Sequence, residues 1–149
     1  MRLELINTGS NRHSAIFTPE FGRDALTDKS LTISESSPVF SFQWAARFSA
    51  LVKDSEQEEL FKLGGIHSMY QFFYNKPIFS LIKEGQMKAA LDMVFELLEV
   101  CVTNPINAGR FTKGTADSYL SEPDTIEELF KAVLYLHTVF FSTDANYPD

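Results

Sequence analysis

Three histidines and one cysteine are the side chains with the widest chemical repertoire in this 149-residue chain. His13, His67 and His137 are far apart, and none has a second His or Cys at ligand spacing, so no metal centre is expected. The lone Cys101 can form neither an intramolecular disulfide nor a multi-cysteine site. It falls in an apolar run and reads as a small core residue. His137 also falls on an apolar stripe, where an imidazole needs a hydrogen-bond partner, and a satisfied core histidine is the expectation ahead of a catalytic base. His13, beside Arg12 in a polar turn, is the histidine placed to serve as a base, although a surface turn residue is the commoner reading.

Other catalytic signatures are missing. The chain has no Gly-rich phosphate loop, no HExxH, no G-x-S-x-G and no DxDxDG calcium loop, which moves the common hydrolases, kinases and dinucleotide enzymes down the list. No cofactor is expected. Arg110 and Lys113 form a small basic island which, with Asp117 and Tyr119, could hold an anion. A solvated loop with scattered charges accounts for them equally well.

Charge is uneven along the chain. Residues 1–53 carry six Lys/Arg and five Asp/Glu, whereas residues 54–149 carry seven against fifteen, giving the net charge of −7. A pI near 4.9 argues against direct binding of nucleic-acid phosphates, which needs clustered basic residues. An acidic face either keeps the protein soluble or attracts a basic protein. Fourteen Phe, five Tyr and one Trp add a second signal, with Tyr70, Phe72, Phe73, Tyr74 and Phe79 crowded together. Most must be core, but Phe72 and Tyr74 are expected to leave an exposed patch. The candidate binding surface is therefore Asp54, Glu56, Glu58 and Glu59 beside Tyr70, Phe72 and Tyr74, with Arg110 and Lys113 as further candidates.

The elements that must position these residues follow from periodicity. Residues 2–7, 14–17 and 30–35 alternate as short strands of an antiparallel sheet, and the segment TPEFGRDALTDK between the last two reads as a turn. Ser37 and Pro38 open a helix to Lys53. Ser55 to Glu58 is a capping-box pattern for a helix that Gly64-Gly65 should close, and residues 66–75 and 77–84 follow as two linked helical pieces. In residues 86–103 the polar positions Lys88, Asp92, Glu96, Glu99 and Thr103 form one narrow stripe. This is the expected central helix, buried on several sides. Residues 104–123 show no apolar period and are expected to be a long irregular loop, the first place to look for a site. Asp124-Thr125, with Glu127 or Glu128, should cap a last amphipathic helix running to Phe141.

The expected fold is α+β, mostly helical, with four or five helices and a small N-terminal antiparallel β-sheet in a single domain: 1–36 β-rich and 37–142 helical. No run approaches the roughly 20 apolar residues of a membrane span, and a cytoplasmic setting is the expectation. The preferred function is a non-enzymatic protein-binding module, a small acidic inhibitor or immunity-type protein that caps a basic partner. An assembly chaperone or structural accessory protein, for example viral, is the second reading. A small enzyme using His13 or the 104–123 loop is the third.

Overall fold

The computed structural model describes residues 2–6, 11–53 and 56–138, the side chains of 56–64 excepted. Three antiparallel strands, β1 (Arg2–Ile6), β2 (Ser14–Thr18) and β3 (Leu31–Ser34), make one sheet in sequence order. Alternation works as expected on β2 and β3, where Ala15, Phe17, Leu31 and Ile33 are buried on one face and Phe17 pairs with Leu31 in register. Beyond β3 the sheet is continued by a single bridge from Ile33 to Val102, supported by Thr103 N–H donating to Thr32 O at 3.0 Å.

Six helices occur among the described residues, five of them at least seven residues long, so the fold is α+β and mostly helical. They are α1 (Gly22–Leu26), α2 (Pro38–Ser49), α3 (Glu56–Asn75), α4 (Met87–Cys101), α5 (Lys113–Tyr119) and α6 (Pro123–Leu136), with a 3-10 turn at Ile78–Leu81. Ser37 caps α2, its hydroxyl accepting from Phe40 N, and Pro38 fills the first turn, as its sequence suggested. The expected break between residues 64 and 65 is present at Gly65, whose φ of 65° and ψ of −152° interrupt α3. The capping residue proposed for this helix, Ser55, lies outside the described residues.

Trp44 is the centre of the core. Its indole stacks on Phe48 with centroids 4.7 Å apart and meets Tyr70, Phe73 and Phe130 at about 6 Å. Its Nε1–H donates to Met93 O of α4 at 2.7 Å, which satisfies the buried donor and fixes α2 against α4. Helix α4 is thus one wall of an aromatic core rather than its hub. Ala90, Val94, Leu97 and Leu98 are buried, but Met87, Leu91 and Val100 are exposed, against the expectation of burial on several sides. The polar stripe alone did not reveal which apolar flank would lack a neighbour.

Two further expectations are corrected. The 104–123 segment is not an irregular loop. Thr112 accepts from Thr115 N and starts α5, and Asn104, 7% exposed, organises the turn before it by donating to Arg110 O and Thr115 Oγ1 and accepting from Ile106 N. The turn-like segment before β3 contains α1, whose buried Asp24 anchors the entry to α6, and that helix starts at Pro123 behind Glu122 rather than at the expected Asp124-Thr125 cap.

Candidate acid-rimmed groove

The buried Asp24 carboxylate accepts from Ser121 N at 2.9 Å, Glu122 N at 3.1 Å and Thr125 Oγ1 at 2.6 Å. Two of these donors are the backbone N–H groups of the N-cap residue Glu122 and of Ser121 before it, and the third is the Thr125 hydroxyl in the first turn of α6, so Asp24 anchors the entry to this helix, whose N-cap side chain makes no cap bond. Burial pushes the Asp24 carboxyl up, but the bonds from Thr125, Ser121 and Glu122, with Lys29 nearby, outweigh it and hold the group below its ordinary range. Asp24 thereby fixes Ser121 and Glu122, and with them one side of a groove.

This groove is an open cavity of about 660 Å³. Phe79, Leu91, Phe95, Ala116, Leu120 and Ile126 form its apolar floor, supplied by the 3-10 turn, α4, α5 and α6. Its charged lining is wholly acidic: Asp117, Glu122, Asp124 and Glu127. Local structure explains part of this. Asp124 sits in the first turn of α6, where negative charge is favourable. Asp117 has no such reason, because it lies near the C-terminal end of α5, where the helix dipole disfavours an anion. Leu91 and Phe95, four residues apart on α4, place an apolar ridge at the groove, which Met87 extends along the same helix face beyond the lining; Met87 and Leu91 are 42% and 37% exposed.

Glu122 is the one rim carboxylate in an ion pair among the described residues. Arg23 Nε donates to Glu122 Oε1 at 2.6 Å and Arg23 Nη2 donates to Ser121 O at 3.1 Å. The contact holds the Glu122 carboxyl low and the guanidinium high. Gly22 (φ +71°) allows α1 this close, since a Cβ there would stand 2.9 Å from Glu122 Cγ.

Several residues expected to form the binding surface are placed otherwise. Tyr70 is 1% exposed and Phe72 is 5% exposed, so both are core, and the expected exposed patch is corrected at Phe72. Tyr74 is half-buried with its ring 5.1 Å from that of Tyr135. They turn inward because this stretch of α3 packs against both α2 and α6, which gives aromatics on two faces a buried neighbour. Asp54 and the side chains of Glu56, Glu58 and Glu59 lie outside the described residues. Arg110 and Lys113 do not form a joint anion site: Arg110 approaches Glu99 at 3.9 Å and Lys113 pairs with Asp92, both carboxylates of α4. Sequence reasoning pointed to the 104–123 segment, and its residues 116–117 and 120–123 line the groove. It missed Phe79, Leu91 and Phe95, for which the available signal was an apolar surface on α4 wider than one neighbour can cover.

Two of the histidines are held by hydrogen bonds within the fold. His13 pairs with Glu35, whose carboxylate also accepts from His13 N at 3.2 Å. His137 is buried; its Nδ1–H donates to Val133 O at 2.8 Å, which leaves Nε2 to accept from Ser36 N at 2.9 Å, and its ring stacks on Tyr70. Ser36 Oγ lies 3.0 Å from Nε2, the spacing of a nucleophile and its base. Both residues are buried, however, and Nδ1 faces a carbonyl in place of an orienting carboxylate, so the pair works as a packed polar cluster with Ser41. Burial lowers the His137 pKa and favours the neutral ring. The Cys101 thiol, buried beside this cluster, is pushed up to about 12 by the same cause, which suppresses its thiolate. Among the described residues no group of three His, Cys, Asp or Glu could hold a metal ion, and no helix is long and apolar enough to cross a membrane.

No family model matches the chain, and no curated protein and no solved structure gives a significant match.

Proposed function

We propose that this chain is a protein-binding module of the acidic inhibitor or immunity type, and that it caps a basic partner through the groove between α4, α5 and the start of α6. One observation carries this reading: an apolar floor whose charged lining is entirely acidic. Apolar side chains of a partner would supply lasting affinity on Phe95, Leu120 and Ile126, while Asp117, Asp124 and Glu127 would speed its approach and select basic sequences. Asp117 strengthens the case, since its charge opposes the dipole of its own helix.

The test is nuclear magnetic resonance titration with a short amphipathic peptide of Leu and Lys, alongside its Leu and Glu counterpart. Shift changes concentrated on Phe79, Phe95, Leu120 and Ile126, seen with the basic peptide only, support the reading. Equal response to the acidic peptide, or shifts centred elsewhere, sinks it.

A second reading, an assembly accessory protein, draws on a different feature. Ile106 is 68% exposed on the turn clamped by Asn104, and an apolar side chain displayed on an ordered turn suits a subunit contact.

A further inference from the structure

We propose that the groove recognises a partner segment led by an arginine, and that Arg23 holds that arginine's place on Glu122 until the segment arrives. This rests on the groove being the protein-binding site and adds the chemistry of the group it reads.

Two residues of the groove wall, Ser121 and Glu122, hold the guanidinium of Arg23, which is itself outside the lining. Glu122 offers a carboxylate oxygen and Ser121 its carbonyl, and the two accept from different nitrogens of one Arg23 fork, at 2.6 and 3.1 Å. A planar fork satisfies two acceptors so disposed, whereas a lysine ammonium engages them only as a point charge. Both acceptors are held in place: Gly22 packs against Glu122, and Asp24 fixes the Ser121 and Glu122 N–H groups from behind. The backbone at the receiving side is therefore set by Asp24, independently of the Arg23 guanidinium.

Arg23 itself is easily displaced. Its side chain is 71% exposed and it belongs to the five-residue helix α1, so its contact with Glu122 is a solvent-facing ion pair of the kind that contributes little to stability. An incoming arginine would be covered by its own chain once the neighbouring apolar residues enter the floor at Leu120 and Ile126, and the same pair of acceptors would then act in drier surroundings. Asp117, Asp124 and Glu127, which form no ion pair among the described residues, remain to receive the segment's other basic residues.

Fluorescence anisotropy with two labelled short peptides tests this, the peptides sharing the same leucines and differing only in Arg against Lys. Wild-type protein should prefer the Arg peptide. Arg23→Ala should tighten that peptide by roughly two- to fivefold, the range open to an exposed pair, and leave the Lys peptide less changed. Glu122→Gln should abolish the Arg preference, and adding Arg23→Ala to it should bring no further gain. Glu122→Gln with Arg23 intact gives a second readout if Arg23→Ala does not fold. Equal binding of the two peptides by wild-type protein, or unchanged or weaker binding of the Arg peptide by folded Arg23→Ala, overturns the inference while leaving the groove reading standing. If neither peptide binds, both fall together.

Discussion

Asp24 Oδ2 stands 2.6 Å from Thr125 Oγ1 across 101 residues of chain, so the first turn of the last helix is anchored by a short helix near the other end of the sequence. Replacing Asp24 by Ala leaves Ser121 N, Glu122 N and Thr125 Oγ1 without their acceptor in a buried place. The expected loss is roughly 3 kcal/mol or more by urea unfolding, with Asp24→Asn costing less because one acceptor oxygen survives. A loss under about 0.5 kcal/mol for Asp24→Ala, the scatter of ordinary surface substitutions, would show that the anchor is dispensable.

Acid should destabilise the protein in two steps. The folded-state pKa of His137 is lowered from 6.5, so its contribution is fully present above 6.5 and is lost as pH falls through the folded value, where the unfolded chain binds more protons. Asp24, lowered from 3.8, contributes above 3.8 and loses that contribution at still lower pH. Glu128 works in the other direction at a pH above the second step. Burial raises its carboxyl above 4.5 despite a bond from Glu20 N, so its protonation favours the folded state as pH falls through the raised value. Urea midpoints measured downward from pH 6.5 should fall in wild-type protein and fall less in His137→Gln, and matching slopes would rule out the histidine step.

Leu98 is fully buried on α4, on a flank of the helix away from its polar stripe. Leu98→Ala should cost about 2 to 5 kcal/mol through lost transfer energy and the cavity left behind. Denaturant unfolding with a change under half of about 1 kcal/mol would mean that this wall of the core relaxes freely.

Asp117→Lys should separate folding from binding. Reversing an anion near the C-terminal end of α5 should leave stability unchanged or raise it by roughly 0.3 kcal/mol, yet lower the association rate of a basic peptide and weaken its salt dependence. Phe95→Ala, in the groove floor, should instead raise dissociation. Stopped-flow kinetics at two salt concentrations distinguish the pair, and a folded Asp117→Lys protein with unaltered association would exclude Asp117 from the site.

Local signals were legible wherever the interaction was local. The three strands, the Ser37 cap with Pro38, and the interruption at Gly65 could all be read from neighbouring residues, because alternation, capping and left-handed backbone are set within a few positions. Asp24 was not legible: its donors are about a hundred residues away, and the sequence around it looks like any polar turn. Phe72 was misplaced for a related reason. The helix that carries it packs against both α2 and α6, so helical spacing alone cannot tell an aromatic residue that is covered from one that is left out. The groove was half legible, through the anomalous 104–123 segment, while the α4 ridge became visible only once the packing partners of that helix were fixed.

The long separation between Asp24 and Thr125 has a counterpart in Ser36, whose N–H is received by His137. Both ties bind the β-rich start of the chain to α6, which the ribosome makes last among the described elements. A nascent chain halted before Pro123 therefore carries a sheet face of Ala15, Phe17, Leu31 and Ile33 with no α6 against it, and an Asp24 with no donors to hold. Such a chain is exposed to mispairing during synthesis. An arrest-peptide assay of lengthening nascent chains should accordingly register one late folding event, after α6 has cleared the exit tunnel, and an early event confined to the sheet would show that the strands close without it.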